Sequence, residues 1–223
     1  MGRERKARGK FFAALIGFAI LAARCFAYDN GDFQVWQIEN QEFKIGENKK
    51  IALEQEFRWG DNASDFYYQH YDAGFVYGLN KNIGLGAGYR HVLDKKKGRF
   101  KLENEPYLLC QLKYLFGGFQ FDSRNRLEYR HFDYQTDFFR YRNKMALKFT
   151  WKFTRLKIQP YLSDEVFFSF LGAAFNENRF YSGLEVALAK NITFDAFYLL
   201  RHTRVNGSWP RANVSGTKIK VVF

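Results

Sequence analysis

Charged and apolar side chains alternate along residues 140–152, and this period of two constrains the fold more than any other feature. The cations on one face are Arg140, Arg142, Lys144, Lys148 and Lys152. The opposite face carries Tyr141, Met145, Leu147, Phe149 and Trp151. Successive side chains of a β-strand point to opposite faces of the sheet, so the pattern predicts a strand with one charged and one apolar face.

The same alternation recurs in eleven segments, of which the first lies at 33–45 and the last at 214–223. No segment after residue 27 has the run of about 18 apolar residues that predicts a membrane-spanning helix. The chain contains 26 Phe, 14 Tyr and 4 Trp, and aromatic residues favour pleated surfaces and membrane interfaces. The sequence therefore predicts an all-β protein.

The C-terminal segment stops in mid-pattern on an aromatic residue. Its apolar face carries Thr217, Ile219, Val221 and Phe223. An unpaired terminal strand is an aggregation hazard unless it closes a barrel, so we expect a single up-and-down antiparallel transmembrane β-barrel. A terminal strand of this kind looks like the closing strand of a bacterial outer-membrane barrel. Phe223, Val221 and Ile219 would then be the signal for the barrel-insertion machinery, an expected partner together with outer-membrane lipid.

The predicted connections alternate in length. Short turns are expected at 46–50, 80–82, 117–118, 153–155 and 189–191. Longer loops are expected at 60–66, 94–105, 132–138, 169–178 and 204–213. Short periplasmic turns and long outer loops are typical of outer-membrane barrels, whose single-chain bacterial members have even strand numbers. We therefore expect twelve strands, with the additional one near 29–36 or in a loop, and ten as the alternative.

The cations decide which face meets lipid. A cation on the lipid face costs about 2–4 kcal/mol at the bilayer midplane, and five of them would consume a total stability of about 5–15 kcal/mol. The charged face is therefore predicted to line the lumen, with Trp36, Trp59 and Trp151 among the aromatic residues at the membrane interfaces. The alternative is a soluble lipocalin-type barrel with the opposite orientation.

The lumen is predicted to carry a basic wall and an acidic set on other strands. The basic wall comprises Arg124, Arg126, Arg130, Arg140, Arg142, Lys144, Lys148 and Lys152. The acidic residues are Glu54, Glu56, Asp72, Glu165, Glu185 and Asp195. Such charges either pair and fill the lumen, leaving a structural role or binding by the outer loops, or form a narrow pore for small anionic solutes.

The N-terminus has the three parts of a secretory signal peptide. Five basic residues precede an uncharged run at 11–23, and Ala27 supplies a small residue before the expected cleavage. Thirteen apolar residues are too few for a helical span of about 20. We expect a cleaved leader at 1–27, a barrel at 28–223 and an outer-membrane location. Because the leader carries six basic residues and one acidic residue, its removal lowers the net charge from +12 to +7.

No catalytic or metal motif is evident. An outer-membrane lipid hydrolase would need a Ser–His–acid arrangement, but the pairs His70/Asp72 and Ser163/Glu165 lie on strands far apart in order. The cysteines and histidines lack metal-ligand spacing, and Cys110 has no partner after leader removal. We expect no enzyme activity, cofactor or metal. Because the cations face a lumen, nucleic acid is not an expected partner.

Several segments resemble an uncharacterised family of small bacterial outer-membrane barrels, a domain of unknown function. These are DFQVWQIENQEFKI, IALEQEFRWGDNAS, YDAGFVYGLNKNIGLGAGYRHV, LEYRHF, RYRNKMALKF and PYLSDEVFF. The most specific runs lie at 56–59 and 79–90, and the resemblance extends from Asp32 to Phe223. It implies a single-domain barrel and no known activity, cofactor or catalytic residue.

Overall fold

The computed structural model describes residues 31–151, 153–154, 156–172 and 174–223, which form a closed β-barrel. The leader prediction at 1–27 and Lys152 lie outside these residues. The described residues contain eleven strands. Their bounds are β1 Gly31–Lys44, β2 Lys49–Gly60, β3 Asp65–Gly78, β4 Ile83–Lys96, β5 Arg99–Phe116, β6 Phe119–Phe132, β7 Phe138–Phe149, β8 Gln159–Ser169, β9 Ala174–Ala187, β10 Ile192–Thr203 and β11 Arg211–Val222.

Neighbours in sequence pair antiparallel around the barrel, and β1 closes it by pairing parallel with β11. The closing register runs from Gly31 opposite Arg211 to Glu42 opposite Val222. The expectation of twelve strands, or of ten, was wrong. Eleven strands are enough to close the barrel, because β1 pairs with β2 at one edge and with β11 at the other. With an odd number of up-and-down strands, the first and last strands run in the same direction.

The two ends of the barrel do not differ in connection length as expected. We call the end with connections 45–48, 79–82, 117–118, 150–158 and 188–191 the lower end, and the end with 61–64, 97–98, 133–137, 170–173 and 204–210 the upper end. The predicted loop at 94–105 is instead a hairpin with a two-residue turn. The predicted short turn at 153–155 belongs to the longest connection. Charged residues suggested a loop at 94–105, but a strand that lines a charged interior tolerates them.

Charged side chains point into the barrel and apolar side chains point out. On β7, Arg142 is 8 % exposed, whereas Met145 and Leu147 are each 40 % exposed. The outward face of β5 is more open still, with Leu108 at 63 % and Tyr114 at 61 %. The predicted assignment of faces on these strands agrees with the structure. Within the described residues, no helix has the length and apolar character needed to cross a membrane.

Aromatic residues cluster on the outer surface at both ends. Near the lower end, Trp151 packs against Phe119 and Phe149 with ring centroids 6.0 and 6.1 Å apart. Near the upper end, Trp59 packs on Phe66 at 5.5 Å. Trp36 was wrongly placed with this outer set. It is 1 % exposed inside the barrel, because it shares the inward parity of β1 with buried Gln34 and Asn40.

A glycine on the inward face of β4 makes room for a large ring. A Cβ atom on Gly88 would lie 2.3 Å from the Tyr107 hydroxyl. That hydroxyl donates a 2.6 Å hydrogen bond to Asp72. The glycine therefore lets Tyr107 lie flat against the wall and hold a buried carboxylate.

Candidate functional site

The upper half of the interior is filled by arginines and glutamates that pair with one another. Arg140 donates to Glu128 at 2.6 Å and to Glu105 at 2.8 Å. Arg130 pairs with Glu105 at 3.0 Å. Glu128 is 0 % exposed and Glu105 is 2 % exposed, so both carboxylates depend on these partners. We call this group the upper cluster. Its members are Arg90, Arg130, Arg140, Arg142, Glu103, Glu105 and Glu128.

A second centre of pairing lies around Glu165, which is fully buried. Its Oε1 accepts a 2.6 Å hydrogen bond from Arg142 and a 3.4 Å hydrogen bond from Arg124. Its Oε2 accepts a 3.1 Å bond from the Tyr181 hydroxyl and lies 3.7 Å from Arg179. One carboxylate from β8 thus ties together strands β6, β7 and β9.

Two contacts join strands that are separated by two others, so the side chains fill the bore. Arg126 of β6 pairs with Asp72 of β3 at 3.1 Å. The Arg179 guanidinium of β9 lies 5.1 Å from the ring centroid of Trp36 on β1. The Arg58 guanidinium also stacks here, 3.8 Å from the centroid of the Trp36 ring and 3.9 Å from that of the Tyr68 ring. Arginine suits such sites because its planar group stacks on rings and pairs in fixed directions.

The lower half of the interior holds a cavity of about 620 Å³. Nine cationic side chains line it against six acidic ones, which leaves an excess of positive charge. The cations are Lys50, Lys113, Arg124, Arg142, Lys144, Lys148, Arg179, Lys218 and Lys220. The acids are Glu42, Glu54, Glu56, Asp122, Glu185 and Asp195.

Lysines supply most of the ion pairs in this cavity. Lys148 lies 2.5 Å from Glu185, and Lys220 lies 2.9 Å from Glu42. These side chains are between 17 % and 36 % exposed, unlike the buried pairs above them. Lys144 has no carboxylate within 4.0 Å among the described residues, and its Nζ lies 3.7 Å from the ring centroid of Tyr181. The cavity thus contains an ammonium group without a paired anion.

A small polar clasp holds the connection 133–137 at the upper rim. Asp137 accepts hydrogen bonds from the Phe132 backbone N–H at 3.0 Å and from the Tyr129 hydroxyl at 2.9 Å, and it lies 2.7 Å from His131 Nδ1. The hydrogen bond with His131 is the main reason that the pKa of Asp137 falls to about 2. Burial near Glu103 raises the pKa of Tyr134, in the same connection, to about 12.

A family model for a protein of unknown function, DUF2490, matches residues 33–211. The chain belongs to this family. The resemblance found in the sequence is therefore confirmed at the level of the family. No curated protein and no solved structure matches the chain.

The family match identifies no functional residue. The positions of the predicted charged residues therefore come from the structure alone. The described members of the basic wall lie inside the barrel on the paired strands β6 and β7. The six predicted acids also lie inside, on β2, β3, β8, β9 and β10. The two charges are not segregated to opposite sides of the bore. Arg126 reaches Asp72 directly, and Glu165 lies among arginines.

Several interior residues were missed by sequence reasoning. Glu103 and Glu105 lay within the predicted 94–105 loop, and Arg58, Arg90 and Arg179 were not assigned a role. The alternation of Glu103, Glu105 and Tyr107 could have revealed that β5 begins earlier. The pairing of Arg140 with Glu105 depends on how the barrel closes, and no local sequence pattern encodes that closure.

The residues considered for hydrolysis are not assembled. The Ser163 hydroxyl is buried, and within the described part of the chain it has no hydrogen-bond partner. His70 lies instead beside Glu54 and Glu56, with its Nε2 3.6 Å from Glu54 and its Nδ1 3.7 Å from Glu56. These three residues offer ligand atoms that lie within 4.8 Å of one another.

Proposed function

We propose that the protein is an outer-membrane β-barrel whose lumen is closed by the upper cluster, so that it binds solutes without conducting them. The paired side chains that fill the upper half support this proposal. Arg140 bridges Glu105 and Glu128 there, and both carboxylates are at most 2 % exposed. In this proposal, filling of this kind closes the water path along the barrel axis.

The membrane location is supported by the outer surface. The strands are 11 to 18 residues long, and a tilted transmembrane strand needs about 9–11. Their outward face is apolar, and aromatic clusters flank it at both ends. In a soluble barrel, side chains such as Leu108 and Tyr114 would expose a large apolar surface to water.

Recording of ion currents in planar bilayers tests the closed lumen. Wild-type protein is expected to be silent at high salt. A variant with Arg140→Ser and Glu128→Ser removes the bridging side chains and is expected to conduct. Lys148→Ser, which removes a cation from the already open lower half, serves as the matched control and is expected to stay silent. Steady wild-type channels would refute the closed lumen.

A small anion is a candidate ligand of the lower cavity, because Lys144 lacks a paired carboxylate among the described residues. Titration calorimetry with inorganic phosphate checks this in detergent-solubilised barrel. Lys144→Met should weaken binding by about tenfold, corresponding to the loss of about 1.4 kcal/mol. The exposed Lys97→Met should leave it unchanged. Equal phosphate binding by wild type and Lys144→Met would exclude Lys144 as the anion site.

A further inference from the structure

Glu54, Glu56 and His70 form one patch on the inner wall, although the sequence separates His70 from the two glutamates by 16 and 14 positions. Glu54 and Glu56 share the inward face of β2, and His70 of β3 is paired directly opposite Glu56. Each residue offers a ligand atom, and these atoms lie within 4.8 Å of one another. Ligand atoms that each lie about 2.1 Å from one ion are at most about 4.2 Å apart. Small side-chain rotations therefore bring all three onto a single ion.

The second observation is an unsatisfied nitrogen at the centre of this patch. His70 is 1 % exposed, and its Nε2 has no hydrogen-bond partner. The nearest carboxylate oxygen, on Glu54, lies 3.6 Å away, which is too long for a hydrogen bond. Buried polar atoms without partners are rare in folded proteins, so this nitrogen is an available ligand atom.

The remaining histidine nitrogen is held as in known metal sites. His70 Nδ1 lies 3.1 Å from the Tyr68 hydroxyl. A metal-ligating histidine usually donates its other N–H to an oxygen, and this fixes its tautomer and ring orientation. With Nδ1–H donated to Tyr68, the Nε2 lone pair is left for a ligand on the side of Glu54, whose Oε1 lies 3.6 Å away. Glu56 Oε2 lies beside the same ring, 3.7 Å from Nδ1.

Each carboxylate also uses one oxygen for a cation and leaves the other for the histidine. Glu54 Oε2 lies 3.2 Å from Lys218, and its Oε1 faces His70. Glu56 Oε1 accepts a 2.6 Å hydrogen bond from Arg58, and its Oε2 faces His70. Outer partners of this type orient ligating carboxylates.

The site is open to ions from solution. Glu54 and Glu56 both line the 620 Å³ cavity, and Glu54 also lines an adjoining cavity of about 120 Å³. Water from these cavities can complete the coordination shell. One imidazole with two carboxylates suits first-row transition metals better than Mg²⁺ or Ca²⁺, which prefer oxygen alone.

We propose that Glu54, Glu56 and His70 bind one divalent transition-metal ion of the zinc type inside the barrel. Neither the metal nor this set of ligands was expected from the sequence, because the ligands meet only through the β2–β3 register. The proposal is independent of whether the lumen conducts or binds phosphate.

Titration of the metal-free, detergent-solubilised full-length barrel with ZnCl₂ in competition with a chromophoric chelator tests the proposal. One equivalent of Zn²⁺ per barrel is expected. His70→Ala should weaken binding at least about 100-fold, and Tyr68→Phe about tenfold. His202→Ala removes a histidine from β10 outside the cluster and is the matched control, expected to bind as wild type does. The isosteric Glu54→Gln supplies a second ligand variant if His70→Ala fails to fold.

Replacement of zinc by Co²⁺ gives an independent readout. Wild type and His202→Ala should show intense visible absorption bands of a low-coordinate cobalt site, and Glu54→Gln should lose them. Failure of wild type to bind a stoichiometric ion would overturn the proposal. Unchanged affinity in both His70→Ala and Glu54→Gln would overturn it as well.

Discussion

The two halves of the interior solve the problem of enclosed charge differently. In the upper cluster the cations are all arginines, their carboxylate partners include Glu105 and Glu128, and little space remains. In the lower half lysines predominate among the cations, the pairs are partly exposed, and a 620 Å³ cavity remains. Arginine forms several directed bonds and stacks on rings, whereas lysine is a flexible, strongly hydrated point charge. In the proposed function, the first arrangement closes the bore and the second leaves space for water and solutes.

Removal of one buried carboxylate should show the largest difference between the halves. Glu128→Ala leaves Arg140, whose side chain is 11 % exposed, without its 2.5 Å partner. Breaking such a buried pair costs about 3–5 kcal/mol of unfolding free energy. Glu185→Ala breaks the Lys148 pair, where the side chains are 23–24 % exposed, and should cost at most about 1 kcal/mol. Urea unfolding in phospholipid vesicles measures both, and equal losses would refute the contrast.

Exchange of arginine and lysine sharpens the same comparison. Arg140→Lys keeps the charge but cannot bridge Glu105 and Glu128 in two directions, so we expect a loss of about 1.5–3 kcal/mol. Lys148→Arg in the lower half should change the free energy of unfolding by no more than about 0.5 kcal/mol. The same unfolding assay applies. A neutral Arg140→Lys would show that directed pairing is not what stabilises the upper half.

The Tyr107 ring lies close to a glycine on the neighbouring strand β4. Gly88→Ala adds a Cβ atom 2.3 Å from the Tyr107 hydroxyl and 2.7 Å from the backbone oxygen of Ala73. Overpacking of this type costs about 1–3 kcal/mol. Gly78→Ala meets nothing closer than 3.6 Å and is the matched control. Thermal unfolding that does not distinguish the two variants would argue against a fixed Tyr107 ring.

The smallest expected effect concerns the clasp at the upper rim. Because hydrogen bonding lowers the pKa of Asp137 from 3.8 to about 2, its ionised form is favoured in the folded state. Its contribution is therefore complete above pH about 4 and is lost as the pH falls through about 2. NMR titration of the Asp137 carboxyl carbon measures this pKa. Phe132→Pro removes one donor and should raise it, and a normal pKa in wild type would contradict the clasp.

The alternation of side chains allowed the fold class, the faces and most strand segments to be predicted. Residues 140–149 encode their two faces locally, because the side-chain period of a strand is two. The eleven alternating segments match the eleven strands, but the even number typical of bacterial barrels led to the wrong expectation of twelve or ten. The parallel closure could not be predicted, since it depends on the pairing of β1 with β11, far apart in sequence. The hairpin at 94–105 was assigned to a loop because its charges were interpreted as solvent-exposed.

The candidate site was predicted in composition but not in contacts. The period of two placed Glu54, Glu56 and Asp72 on inward faces. It could not show that His70 meets Glu56, because the β2–β3 register decides this pairing. Nor could it show that Arg126 crosses the bore to Asp72, because that contact depends on how tightly the barrel closes.

Fluorescence quenching by brominated phospholipids tests most directly whether the charged face is enclosed while the apolar face meets lipid. Two variants reconstituted in vesicles retain a single tryptophan each, Trp151 on the outer surface or Trp36 in the interior. Trp151 is 54 % exposed and Trp36 is 1 % exposed. Strong quenching of Trp151 with little effect on Trp36 is the predicted result. Quenching of Trp36 as strong as that of Trp151, or none of either, would contradict a lipid-embedded barrel with a closed, charged interior.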